Sequence, residues 1–169
     1  MTRVAIVSDT HVPSRATEIP EWVADELRAA DHAIHAGDFD SQAAYERVRE
    51  LADGDLICAR GNMDPGALEL PVTDTLVVDD VTFVVTHGTG SPSDWHRRVL
   101  ETAHDVVGAD ANAVAVAGHT HEVVDTVVDG TRVLNPGSAT AARPATYETM
   151  LVATVEGGEL TVDLRTSSS

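Results

Sequence analysis

Arg3-Val4-Ala5-Ile6-Val7-Ser8-Asp9-Thr10-His11 is the stretch on which the fold turns. Its apolar core is short, rich in β-branched residues and free of polar alternation, which reads as a strand over 3–8 buried on both faces. It ends on a carboxylate and an imidazole. Five later runs repeat the design: Ala33-Ile34-His35 before Gly37-Asp38, Leu56-Ile57-Cys58 before Gly61-Asn62, and Phe83-Val84-Val85 before His87-Gly88. Residues 113–117 precede Gly118-His119-Thr120-His121, and Val133-Leu134 precedes Asn135-Pro136-Gly137-Ser138. Open α/β sheets bind ligands just beyond the carboxyl ends of their strands. Six segments are therefore expected to aim at one cleft.

Working outward, Pro20 opens an amphipathic helix with an acidic first turn, Glu21 to Leu27. Residues 32–36 read as a second strand, and 41–51 as a second helix capped by Ser41 or Asp40. Residues 55–59 complete a β-α-β-α-β pattern, the signature of a parallel sheet. The second half is richer in strands. Residues 74–79 and 81–86 form a hairpin, and 92–107 a helix capped by Ser91 or Ser93. Residues 113–117, 123–128 and 131–134 are strands, the last two joined at Asp129-Gly130. A final hairpin, 147–155 and 159–164, turns at Gly157-Gly158. The expected architecture is α/β, a four-layer αββα sandwich of two mixed sheets flanked by helices. Residues 1–165 are expected to form a single domain and 166–169 a polar tail.

Composition narrows the function. The 169 residues fit one domain, and the 43% apolar fraction suffices for a core despite only 4% aromatics. The amino-terminal apolar run is shorter than the roughly 7–15 residues of a secretory signal. No run reaches the roughly 18 residues of a membrane span, so a cytoplasmic protein is expected. Cys58 is the single cysteine and lies mid-strand, where packing is its expected role. All 11 basic residues are arginine, against 28 acidic residues, 17 of them aspartate, for a net charge of −17. Such a surface repels itself in dilute salt and is screened at high salt. It reads as that of a salt-accumulating halophile rather than an acidic tail for a basic partner, because the acids are scattered along the chain. No basic patch for nucleic acid is visible.

The residue types at the strand ends have a chemical logic. Two divalent ions about 3.5–4 Å apart clamp a phosphate and generate a hydroxide nucleophile at neutral pH. Cations that close need a bridging carboxylate, for which Asp38 is the candidate. Imidazoles suit Mn, Fe, Co, Ni and Zn, whereas an all-oxygen set suits Mg or Ca. The Asn62 amide adds a neutral ligand and leaves the site attractive to phosphate. Each motif alone is an everyday turn, cap or surface histidine. Their joint order points to a two-metal phosphoesterase.

That order, Asp-x-His, Gly-Asp, Gly-Asn, His, Gly-His-x-His, resembles the calcineurin-like metallophosphoesterases over nearly the whole chain. Gly61-Asn62-Met63-Asp64 and Asn135-Pro136-Gly137-Ser138 look most like the small YfcE-like phosphodiesterases of bacteria and archaea. The resemblance implies that Asp9, His11, Asp38 and His121 hold one metal, and Asp38, Asn62, His87 and His119 the other. Asp38, Asn62 and His87 would then carry the chemistry, with Asn62 and Arg60 contacting a small phosphate-ester substrate. Asp64 and Ser138 would support the ligands from behind. Two divalent transition-metal ions are implied, manganese foremost, with Ni, Fe, Co or Zn as alternatives.

One position departs from the family. Many members carry a histidine after the motif asparagine that protonates the leaving group; here it is Met63. General-acid help is typically worth about 10²–10⁴-fold, so substrates with good leaving groups, or a water-mediated proton transfer, are expected. Among the other histidines, His35 is expected to pack, while His96 and His104 are expected to face solvent. Two alternatives use the same fold without turnover. One is a scaffold like the retromer subunit, and the other a regulatory metal- or nucleotide-binding domain. Complete ligand positions favour the enzyme. A homo-oligomer is compatible with the chain.

Overall fold

The computed structural model describes residues 1–108 and 112–168. Val4, Ala5, Ile6 and Val7 are all fully buried because successive side chains of a strand face opposite layers. Val4 and Ile6 enter the core between the two sheets, while Ala5 and Val7 pack under helices. This two-sided burial explains the absence of polar alternation in β1 (Thr2–Val7).

The remaining elements of the first half are α1 (Glu21–Ala29), β2 (His32–His35), α2 (Gln42–Leu51) and β3 (Leu56–Cys58). Next come the hairpin β4 (Thr73–Val78) and β5 (Val81–Thr86), then α3 (Trp95–Val107), β6 (Ala113–Val116), β7 (Val123–Val128) and β8 (Thr131–Pro136). The chain closes with β9 (Thr149–Glu156) and β10 (Glu159–Thr166). β10 thus extends one residue into the segment expected to be a tail, whose last residue, Ser169, lies outside the described residues.

One sheet has the order β10-β9-β1-β2-β3 and the other β4-β5-β6-β8-β7. β1, β2 and β3 are parallel, as are β5, β6 and β8, while β4, β7, β9 and β10 run antiparallel to their neighbours. The architecture is the expected sandwich of two mixed sheets with helices outside. Val23, Leu27 and Val48 of α1 and α2 cover one sheet; Trp95, Val99 and Ala103 of α3 cover the other. Register places the site. Val7 lies beside His35 and His35 beside Cys58, while Val85 lies beside Val116 and Val116 beside Leu134. Within each sheet three carboxyl ends therefore stop at a common level.

Two caps resolve as follows. Ser41 caps α2, its Oγ accepting from the Ala44 N–H at 3.1 Å. The helix expected from residue 92 starts as a 3-10 turn, Pro92–Asp94, capped by Ser91, before becoming α-helical at Trp95. Among the described residues no helix is long and apolar enough to cross a membrane.

Candidate metal centre

The loop after β1 is pinned to the loop after β2 by backbone bonds from Asp9 N to Gly37 O and from His11 N to Asp38 O, both 3.0 Å. Gly118 N donates to His87 O at 3.0 Å, joining the loops after β5 and β6. Two glycines allow this closeness. A Cβ at Gly61 would collide with the Asp38 carboxylate, and one at Gly118 with Ser8 and Asp9. Asp9, His11, Asp38, His119 and His121 hold left-handed backbone, with φ from 45° to 74°. Asp and His enter that region more readily than most residues, yet it is uncommon for any side chain other than glycine.

The result is a buried cage. His11 Nε2 lies 3.7 Å from Asp9 Oδ1 and 3.5 Å from Asp38 Oδ2. His87 Nε2 lies 3.1 Å from Asp38 Oδ2 and 3.8 Å from Asp9 Oδ1. His121 Nε2 lies 3.3 Å from both Asp9 Oδ1 and His11 Nε2. Two ligand groups result, Asp9–His11–His121 and Asp9–Asp38–His87. They share Asp9, and the Asp38 carboxylate touches both through His11 and His87.

Each cage histidine is oriented from behind. Nδ1 of His87 donates to Ala36 O at 2.7 Å, that of His121 to Ala142 O at 2.8 Å, and that of His11 to the Asp40 carboxylate at 2.8 Å. A carbonyl only accepts, so the Nδ1 proton is fixed and the Nε2 lone pair of the neutral ring faces inward. The carboxylates are held likewise. Asp9 Oδ2 accepts from Ser8 Oγ at 2.7 Å and from His119 N at 3.0 Å, leaving Oδ1 free. Asp38 Oδ1 accepts from Met63 N at 2.8 Å.

Asp9 Oδ1 and His87 Nε2 are buried without a hydrogen-bond partner. Orphaned atoms at the centre of a cage of acceptors suit a cation, and mixed imidazole and carboxylate donors fit a divalent transition metal. Protons are the alternative occupants. Burial lowers the proton affinity of His87, but the neighbouring Asp38 and Asp9 outweigh it and raise its pKa to about 9. His121 is raised in the same way, with burial again opposing and Asp9 winning. Burial would raise the pKa of Asp9, yet the adjoining His11, His121 and His87 rings hold it far below the usual carboxylate range. Asp38 is lowered too, as His87 outweighs burial.

Asn62 and His119 stand outside both groups. His119 is half-buried; its Nδ1 lies 3.2 Å from Asn62 Oδ1 and its Nε2 lies 3.0 Å from Gly90 O. Its ring is 5.2 Å from that of His87, so it borders the cage without entering it. Arg60 is exposed and lines a cleft of about 180 Å³ with His87, Gly88 and Arg98. Asp64 is buried and accepts backbone N–H bonds from Asp38, Phe39, Asp40 and Gly61 at 2.7–3.1 Å. Ser138 Oγ donates to Asp9 O at 2.8 Å and accepts from Ala142 N, tying Asp9 to the segment that orients His121.

Sequence reading missed Asp40, whose bond to His11 could have been suspected from its place two residues after Asp38. Asn135, which opens the Asn135-Pro136-Gly137-Ser138 segment singled out in the sequence, donates through Nδ2 to Gly118 O and Thr120 Oγ1. The Ala36 and Ala142 carbonyls leave no trace in sequence. His35 packs as expected: it is fully buried, stacks on Phe39, bonds Thr10 Oγ1 and Gly37 N, and burial pulls its pKa down to about 3. His104 corrects an expectation. It is half-buried and bonds Thr131 Oγ1 at 3.1 Å, because α3 turns that face toward the start of β8. His96 is exposed.

The calcineurin-like phosphoesterase superfamily domain matches residues 2–158. A probable metallophosphoesterase of Methanothermobacter thermautotrophicus is 31% identical, over 95% of this chain and 90% of its own length. A phosphodiesterase of Methanocaldococcus jannaschii is 31% identical over 80% of this chain and 82% of its own. The crystal structure of Chaetomium thermophilum Vps29 has the same fold, with a TM-score of 0.80 at 21% identity over 98% of this chain and 97% of that one. With the family match spanning nearly its whole length, and four strand ends closing on one acceptor cage, the chain belongs to the calcineurin-like phosphoesterase superfamily.

Proposed function

We propose that this protein is a dinuclear metal-dependent phosphodiesterase. The observation that carries the reading is the cage: five buried donors from four strand ends, with histidine lone pairs and carboxylate oxygens facing one another at 3.1–3.8 Å. Two divalent ions, manganese foremost among Mn, Ni, Fe, Co and Zn, would supply Lewis acidity to the phosphoryl group and an ionised water as nucleophile. Asp9, His11, Asp38 and His121 would hold one ion, and Asp38, Asn62, His87 and His119 the other. The neutral Asn62 amide and the Arg60 guanidinium at the rim would orient the substrate's non-bridging oxygens. Asp64 positions Asp38 through its backbone, and Ser138 positions Asp9. Met63 is 46% exposed and has no proton to give, so the reading is confined to esters with stable leaving groups. Residues 1–165 would constitute one catalytic domain, working in the cytoplasm of a salt-accumulating cell.

Elemental analysis of manganese-saturated protein, paired with hydrolysis of bis(p-nitrophenyl) phosphate with and without chelator, tests this. Two ions per chain and chelator-sensitive turnover are expected; at most one ion defeats the dinuclear model. Met63 also supports a second reading, a non-catalytic scaffold or regulatory metal- or nucleotide-binding domain on this fold. Metal binding without turnover of the activated diester would favour it.

A further inference from the structure

The arginines of this chain divide into two sets. Arg3, Arg28, Arg47, Arg97 and Arg132 form ion pairs with carboxylates. Among the described residues Arg15, Arg49, Arg60, Arg98, Arg143 and Arg165 form none, although acidic residues outnumber basic ones by 28 to 11. Arg15 and Arg143 border one cavity of about 420 Å³, together with Ser14 and Ala141.

That cavity is built onto the metal centre. Arg15 N donates to His11 O at 2.9 Å, and Arg15 Nη1 donates to Arg143 O at 2.8 Å. Arg143 follows Ala142, whose carbonyl orients His121. Ser14 is hydrogen-bonded to Asp40, the carboxylate that holds His11, so that acid is already engaged by two donors. Both guanidiniums are exposed at the cavity and retain free donors.

A protein of net charge −17 repels an anionic substrate at long range. A local pair of guanidiniums beside the catalytic cage reverses the sign where it matters, and guanidinium forks match phosphate oxygens. We infer that Arg15 and Arg143 form a second phosphate subsite, so that the substrate is a phosphodiester carrying a further phosphate on one ester arm. This deepens the phosphodiesterase reading and rests on it.

The test compares binding of 5′-AMP and adenosine 3′,5′-bisphosphate to manganese-loaded protein, by calorimetry at fixed ionic strength. The bisphosphate should bind about tenfold tighter or more, the scale of one charge-assisted hydrogen bond. Arg15→Gln with Arg143→Gln should abolish that preference while leaving 5′-AMP affinity within about twofold. Arg97→Gln, which removes one charge far from the cavity, should leave the preference intact. The inference is overturned by absence of preference in the native protein, by its survival in the double variant, or by its equal loss in Arg97→Gln. A parallel loss of 5′-AMP affinity would also overturn it, because the pair would then read the first phosphate. Failure to hydrolyse any diester would strike the catalytic reading instead, while the binding preference stayed measurable.

Discussion

The inner and outer halves of the metal centre are built on different terms. Asp9, His11, Asp38, His87 and His121 are buried, and every imidazole among them is braced at Nδ1. Asn62 and His119 are more exposed, bonded to each other and to the loop at Gly90. Bracing costs flexibility and confers affinity, because a ligand already in position loses little freedom on binding. The inner half is preorganised, whereas the outer half must exchange existing hydrogen bonds for an ion. Filling is therefore expected to be stepwise, inner before outer.

The largest effect should come from removing a shared carboxylate. Asp38→Asn is expected to strip both ions and cut turnover by more than about 10⁴-fold, beyond the loss of one acid–base group. His119→Ala should remove one ion only, as elemental analysis would show. Equal ion loss in the two variants would erase the distinction between halves.

Met63 sits at the outer rim, and Met63→His should speed poor leaving groups by up to about 10²–10⁴-fold, and good ones far less. An unchanged ratio of aryl to alkyl ester turnover, with metal content intact, would count against the missing acid. Removing a brace should matter less. Asp40→Ala leaves His11 in place but unsupported, so metal affinity should fall by about 10–100-fold, read by calorimetry.

Protons should separate the halves more gently. In metal-free protein His87 is raised from its ordinary 6.5 to about 9 by Asp38 and Asp9 against the pull of burial. Its stabilising charge is fully present below about 6.5 and lost as pH rises through about 9. The thermal midpoint of chelated protein should thus decline over that range. Metal-saturated protein should not follow, since the ion requires the neutral imidazole. Parallel curves would show that the cage holds no proton in the ion's absence. Salt tests the acidic surface: the midpoint should climb between about 0.1 and 1 M, where the Debye length falls from about 10 to 3 Å. A midpoint indifferent to salt, with and without chelator, would detach the charge from halophily.

The strand ends were legible in the sequence because each ligand follows an apolar run, and burial on both faces gives β1 a pattern unlike a half-exposed strand. The braces were not. Ala36 and Ala142 act through carbonyls that every residue possesses, and Asp40 looked like a second choice of helix cap. His104 misled because a helical face is assigned by what packs on it, and β8 lies 27 residues further along the chain. Arg15 and Arg143 are 128 residues apart, so only the fold reveals that they share a cavity.

The left-handed backbone at Asp9, His11, Asp38, His119 and His121 makes the site a burden on the fold. Sparsely populated conformations cost about 1–3 kcal/mol each, against a total stability of about 5–15 kcal/mol for a typical domain. Glycine would relieve that strain at every one of these positions, and asparagine at several. In a lineage that no longer needed the ion, drift toward those residues would stabilise the chain, and the ligands would vanish before the packing around them changed. A relative carrying glycine or asparagine at these five positions would thus be expected to fold more stably than this chain and to hold no ion.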